Sequence, residues 1–478
     1  MNKRLAAILQ QQLWQRIHSH NQFRVMAYNV RQTSTGLRGA YDELIYVVED
    51  EDNIGDFKYR YACAVIVDLA IKATLSQLPN NADCAVFNTR IVAAQFVKPD
   101  ENKWFLGQSA GNLLSTNTSA FKTVTMRFGY YSATAENLQP TLTLDSETDQ
   151  TVQLVSGNFT LPTSTVIETT DSDSYIPNDA NALFLSDTPL VGGVYKNYVV
   201  YDTGKTTWAT LAFINTTDSD ANYISIRYYN GSTVLSQNTL NNEAASGGAT
   251  PSTVTADTER LLYLGIGTAN LNGQSGTYSP ANATNAGWTH YDIILSDNQG
   301  EPWSNAVSAT YRFERLDCNK FQQAGEFYTL HWWNSKGGLD SLVFNGKSEL
   351  RQNIKRTEYR EIGGNSYDAN GQGATAYSKY SYEGGKTQAS SVTTTTFQLN
   401  TAFGDPATLS PLMMSLMNSE RVYMTGSDNY GTNSTGADKN KAVRVVVADG
   451  SFQRKTSVND GLTSYELQVD ISRLRPTR

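Results

Sequence analysis

Histidine and cysteine are scarce in this chain, with four and three among 478 residues, and neither type clusters. Cys63, Cys84 and Cys318 lack the CxxC or Cys/His spacing of a zinc site. Three is an odd number, so at most one disulfide forms within the chain. Cys63 and Cys84 either pair across one small β-domain or stay, with Cys318, as buried reduced thiols of a protein assembled in a cytoplasm. His18 and His20 are two apart, a spacing that does not share a helical face, and His290 and His331 stand alone in strand-like runs. No GxSxG, HExxH, Walker loop or Gly-rich dinucleotide turn occurs. Carboxylates cluster in loops at Glu49–Asp52, Asp171 with Asp173, and Asp218 with Asp220; the two Asp-Ser-Asp pairs either bind calcium through oxygen ligands or, the better reading since they lack the glycine and terminal glutamate of an EF-hand loop, are solvated turns. A glycosidase needs two carboxylates facing each other across a cleft, and the sequence singles out no such pair. The expectation is a chain that is not an enzyme and holds no cofactor or metal.

Long apolar runs are missing too, and no stretch approaches the length of a transmembrane helix. Leu5–Leu9 is interrupted by Gln10–Gln12 too soon for a signal-peptide core. The reading is a soluble protein with no sequence-encoded export route. Charged residues are only 18%, and the net charge is −8. Without a broad basic field to displace phosphate counterions, nucleic acid is not expected as a direct partner. One local exception stands out: residues 1–41 carry Lys3, Arg4, Arg16, Arg24, Arg31 and Arg38 and no acidic residue. Such an arm suits docking on an acidic partner surface.

What is present is serine, threonine, asparagine, glutamine and glycine, together with 27 tyrosines. Aromatic residues at 11% and recurrent strand-like runs exclude a disordered chain. The profile suits an all-β protein with long polar loops, in which tyrosine fills strands and keeps its hydroxyl wet. The fold expected is several β-sandwich domains, immunoglobulin-like or jelly-roll-like, behind a short N-terminal amphipathic helix. Four segments are read: a basic arm over 1–39, a sandwich over 40–132, a Ser/Thr/Asn-rich sandwich or jelly roll over 133–316, and a β domain over 317–478.

Within the arm, Leu5, Leu9, Leu13 and Ile17 recur every four residues, with Trp14 alongside and Arg16 on the polar side. That stripe either packs on the first domain, docks on a neighbouring subunit, or lies on a membrane surface. In the third segment strands are expected at residues 152–155, 182–185, 198–201, 208–214, 223–229, 261–266, 291–295 and 309–315. In the last, a glycine-, serine- and tyrosine-rich stretch over 363–394 reads as a loop or loose hairpin, 409–417 as a short helix, and 442–447 and 465–471 as closing strands. Tyr367, Tyr377, Tyr380 and Tyr382 give that stretch contact surface and serve either as a loop interface or as anchors onto their own domain. No clean internal sequence repeat is evident, although the units are compatible with one shared sandwich plan.

The most distinctive run is Tyr328–Trp333, the turn Asn334-Ser-Lys-Gly-Gly338, and Leu339–Phe344, an aromatic hairpin whose glycines supply positive φ. Preceded by Leu316-Asp-Cys-Asn-Lys320, it resembles a segment of virion proteins of tailed bacteriophages. Ala40-Tyr-Asp-Glu-Leu-Ile-Tyr-Val-Val48, Asp56-Phe-Lys-Tyr-Arg-Tyr-Ala-Cys-Ala-Val-Ile-Val67 and Ala85-Val-Phe-Asn-Thr-Arg-Ile-Val92 are similar to the opening domain of the same proteins. Phe397-Gln-Leu-Asn-Thr401, Asn418-Ser-Glu-Arg-Val-Tyr-Met424 and Val443-Arg-Val-Val-Val447 follow in the matching order. The resemblance implies a structural tail or baseplate component, assembled in the host cytoplasm and located in the virion. Its implied partners are other virion proteins and further copies of itself. An alternative is a receptor- or glycan-binding adhesin at the tail tip, with a host-surface glycan as partner; another is a capsid decoration protein.

Overall fold

The computed structural model describes residues 29–32, 36–50, 56–101, 113–117, 119–158, 184–202, 205–215, 223–241, 260–274, 276–316, 327–361, 384–401, 404–426, 442–448 and 463–471. The chain is all-β, with multi-stranded sheets that form sandwiches and a few short helices. It divides into two compact units, 1–98 with 121–177 and 99–120 with 178–478.

Among the described residues the first ten strands are β1 (Asn29–Gln32), β2 (Gly36–Gly39), β3 (Ile45–Glu49), β4 (Phe57–Val67), β5 (Ala70–Gln77), β6 (Cys84–Asn88), β7 (Leu114–Thr116), β8 (Phe121–Ala133), β9 (Thr141–Leu144) and β10 (Gln150–Val155). All but β7 belong to the first unit. One sheet has the order β1-β3-β6; the other runs β2-β10-β8-β4-β5, with β9 added on β8. Alternate residues point inward, as the period of a strand requires. Tyr46, Val48 and Phe87 thus meet Tyr61, Cys63, Val65, Val124, Met126, Phe128, Val152 and Leu154 in one core. Cys63 and Cys84 are buried free thiols, so they do not pair, and burial pushes the Cys63 thiol up to about 12.

The second unit continues with β11 (Leu190–Val191), β12 (Val194–Asp202), β13 (Lys205–Thr206), β14 (Thr210–Asn215), β15 (Tyr223–Asn230), β16 (Thr233–Asn241), β17 (Arg260–Gly265), β18 (His290–Ser296) and β19 (Thr310–Leu316). Their sheets are β11-β12-β19-β18-β15-β16, with β13 on β12, and β14-β17-β7. Strand for strand, β12, β14, β15, β16, β17, β18 and β19 repeat the pairing of β2, β3, β4, β5, β6, β8 and β10. In both sets the first strand lies parallel to the last, β2 on β10 and β12 on β19, while the other shared pairings are antiparallel. This is the connectivity of an immunoglobulin-type sandwich, made twice. The repeat is hidden in the sequence because a sandwich asks only for alternation and turns, not for particular residues.

A third sheet completes the second unit: β20 (Tyr328–Trp333), β21 (Leu339–Phe344), β22 (Glu349–Glu361), β23 (Gly385–Asn400), β24 (Val422–Gly426), β25 (Val443–Val447) and β26 (Glu466–Ile471). Its order is β21-β20-β24-β25-β26-β23-β22, antiparallel throughout. Among the described residues it is an open sheet with the helix Pro406–Asn418 on one face and no second sheet closing it into a sandwich. Leu409, Leu412, Met413 and Leu416 of that helix pack on Leu330, Trp332, Phe344, Phe397, Met424 and Val469.

Strands differ from the sequence reading in several places. Among the described residues they begin at Asn29, inside the segment read as a basic arm, where Arg31 pairs with Glu49 and Arg38 is buried. The strand Gln150–Val155, read as opening the third segment, pairs with Phe121–Ala133 of the first unit. The stretch 363–394, read as loop or loose hairpin, contributes its last ten residues to the long strand Gly385–Asn400.

Candidate functional site

The aromatic hairpin of β20 and β21 is buried on both faces, which is why apolar residues fall at consecutive positions, Trp332 with Trp333 and Leu342 to Phe344, and do not simply alternate. The helix covers one side. On the other, Val343 packs with Val200 and Phe327, the Asn197 amide donates to the Ser341 carbonyl at 3.1 Å, and Trp333 meets Tyr263 edge-on. Two titratable groups are carried into this interior. His331 accepts or donates one hydrogen bond with Thr425 at 3.0 Å, and burial lowers its pKa to about 3. Asp340 is wholly enclosed, and burial, then the nearby Asp187 charge, raise its pKa to about 6.

Around Asp340 a polar cluster ties the hairpin turn to the segment Phe184–Thr188. The Asp187 backbone N–H and the Asn334 side-chain amide donate to one Asp340 oxygen at 2.8 and 2.9 Å, and the Ser186 hydroxyl donates to the other. Asn334 also donates to the Leu185 carbonyl at 2.9 Å, while its side-chain oxygen accepts from the backbone N–H groups of Lys336 and Gly338. The Asp187 carboxylate accepts from Ser335 and, at 2.6 Å, from the Ser415 hydroxyl, which itself accepts from the Trp332 indole at 2.9 Å. Lys336 donates to the Ser186 carbonyl at 2.7 Å and sits 3.9 Å from Asp187; burial lowers its pKa and the two aspartates oppose that shift. Gly337 has φ +79°, and a Cβ on Gly338 would stand 1.8 Å from the Leu185 carbonyl oxygen.

This cluster is a clamp. Its serines are spent on carboxylates without a histidine base, and its lysine is spent on a carbonyl and a carboxylate. Among the described residues, no three His, Cys, Asp or Glu side chains come together as a metal site. Asp50, from the acidic turn after β3, is buried and accepts from the Tyr59 hydroxyl at 2.7 Å. The clamp residues Ser186, Asp187, Asp340 and Ser415 escaped the sequence reading. One signal was available: Asp340 is a charge inside an apolar strand, and a buried carboxylate demands donors.

Two further features lie on the surface of the described residues. On the outer face of the second sandwich, His290 stacks on Tyr229 with centroids 4.7 Å apart, Arg227 lies 4.2 Å over Trp303, and Arg312 forks onto Asp292 at 2.7 and 2.8 Å. At the far edge of the third sheet, β22 pairs with β23 over Glu349–Glu361, but β26 reaches β23 only at Thr396–Asn400. The outer part, Gln352–Glu361 against Gly385–Thr395, is therefore a two-stranded ribbon about 33 Å long at roughly 3.3 Å per residue. Its strand β22 is exposed along nearly its whole length.

The sequence-derived docking residues Leu5, Leu9, Leu13, Trp14, Arg16 and Ile17, and the tyrosines Tyr367, Tyr377, Tyr380 and Tyr382, lie outside the described residues, as do His18, His20, Cys318, Asp171, Asp173, Asp218 and Asp220. The tyrosines fall in the segment that joins β22 to β23.

No family model and no curated protein matches the chain. Among solved structures, a marsupial T cell receptor aligns over 77% of this chain and 96% of its own, at 9% identity and a TM-score of 0.15. A likeness at that level carries no argument, and the sandwich assignment rests on the strand pairing alone.

Proposed function

We propose that this chain is a structural virion protein of a tailed bacteriophage, a tail or baseplate component that works by oligomeric assembly and not by catalysis. The observation that carries the reading is the exposed ribbon of β22 and β23. An isolated two-stranded ribbon is marginal in water, and among the described residues this one covers no core, so it is read as serving contact with something else. The clamp supports the same reading, since it spends the buried reactive side chains on holding a sandwich to a sheet. Tandem immunoglobulin-type sandwiches are scaffolds that present loops and edges. The phage assignment itself rests on the ordered sequence resemblance.

Antibody-gold electron microscopy on purified particles from the source tests this reading. Label at the tail or its tip is the expected result. Label on the capsid would reassign the protein to decoration, and particles without label would sink the virion reading.

A tail-tip adhesin is the second reading, favoured by the face that carries Tyr229, His290, Arg227 and Trp303. Stacked aromatic rings beside a fixed Arg–Asp pair suit a sugar ring, whose apolar face lies on an aromatic while its hydroxyls need polar partners. Glycan-array binding that is lost in Tyr229→Ala would favour it over a purely structural role.

A further inference from the structure

The partner of the ribbon can be argued from charge. Its outer part carries four basic side chains, Lys355, Arg356, Arg360 and Lys386. Against them stand two acidic ones, Glu358 and Glu361, so this element is net +2, and with the whole chain at −8 the remainder is −10. The ribbon is thus a cationic element on an anionic body. Apolar side chains stand on both of its faces: Val392, paired with Lys355, and Tyr359 on one and Ile354 on the other, each about half exposed, at 52%, 49% and 52%. Cations flanking half-exposed apolar and aromatic side chains are the composition of a docking element, not of a solvated edge alone.

We propose that the ribbon lies on the acidic surface of a second copy of this chain, so that each subunit extends an arm onto its neighbour. The inference rests on the assembly reading above and names its partner. A second copy fits because the surface each arm needs is the one every copy carries. Ordering the arm on a neighbour also removes the exposed strand edge, which otherwise invites indiscriminate pairing.

The test is sedimentation of the full chain over a range of protein and salt concentrations. The expected result is reversible self-association that weakens at least about tenfold between low and high salt, because contacts between exposed charges are screened. The triple variant Lys355→Glu, Arg356→Glu, Arg360→Glu should weaken it by at least a similar factor while keeping the circular dichroism and melting temperature of the parent. The milder Lys355→Gln, Arg356→Gln, Arg360→Gln should fall between. A chain that is monomeric at every condition, or that associates equally in salt and in both variants, overturns the proposal. So does a monomer that binds a nucleic-acid duplex through these residues. Failure here is separable from failure of the virion reading: a monomer that still labels the tail overturns only the arm, and a self-associating chain absent from particles overturns only the phage role.

Discussion

At the scale of single residues, the clamp sets the strongest constraints. Gly338 has no room for a side chain, because its Cβ would meet a carbonyl oxygen of the facing segment at 1.8 Å. Gly338→Ala must push the turn away from Leu185 and break the Asn334 contacts. It should cost about 3 kcal/mol, read as a lower denaturant midpoint of the second unit. Asp340 and His331 make opposite pH predictions. Asp340 titrates at about 6 when folded against 3.8 ordinarily, so the folded state holds its proton more tightly, and stability rises as pH falls from 6 toward 4. His331 titrates at about 3 against 6.5, so the folded state refuses the proton, and stability is lost as pH falls from 6.5 toward 3. Each slope is about 1.4 kcal/mol per pH unit, so the two nearly cancel between pH 6 and 4. Relative to the parent, Asp340→Asn should lose stability on acidification through that window and His331→Gln should gain it. Urea midpoints measured from pH 4 to 7 check both, and variants that track the parent at every pH would refute the assignment.

At the scale of elements, legibility followed burial. Strands with one face in a core, such as Phe57–Val67 and Tyr223–Asn230, alternate and were readable. The hairpin Tyr328–Phe344 was readable because both faces are covered. Glu349–Glu361 was not, because a strand bathed on both faces selects no period, and its charged and polar residues look like a loop. The helix read as 409–417 starts earlier, at Pro406. Its start was marked by a cap the reading passed over: the Asp405 side chain accepts from the Ala407 N–H at 2.9 Å, and proline suits the first helical position. Asp405→Ala should therefore cost about 1 kcal/mol in the denaturation of the second unit and leave helix content unchanged. The clamp was least legible, since its partners Asp187, Asp340 and Ser415 are up to 228 residues apart in the chain and meet only through packing.

At the scale of the whole molecule, each unit carries a core of its own, and this sets how the chain should unfold. Phe128 is fully buried in the first unit among Tyr46 and Phe87, whereas Trp332 and Phe213 anchor cores of the second. A domain with its own core unfolds as a cooperative step of its own. Phe128→Ala should thus cost about 3–5 kcal/mol in the first unit and leave amide protection in β20 and β24 as in the parent. Gly338→Ala should do the converse. Within the second unit, however, the sandwich and the third sheet are joined by the clamp and by the Val200, Phe327 and Val343 contact. Loosening the turn should therefore lower protection in β14 and β17 together with β20, as one step. Hydrogen exchange read by mass spectrometry resolves these strands separately. If Gly338→Ala loosens β20 and spares β14, the clamp is a local turn device rather than the joint that makes a sandwich and a sheet one folding unit.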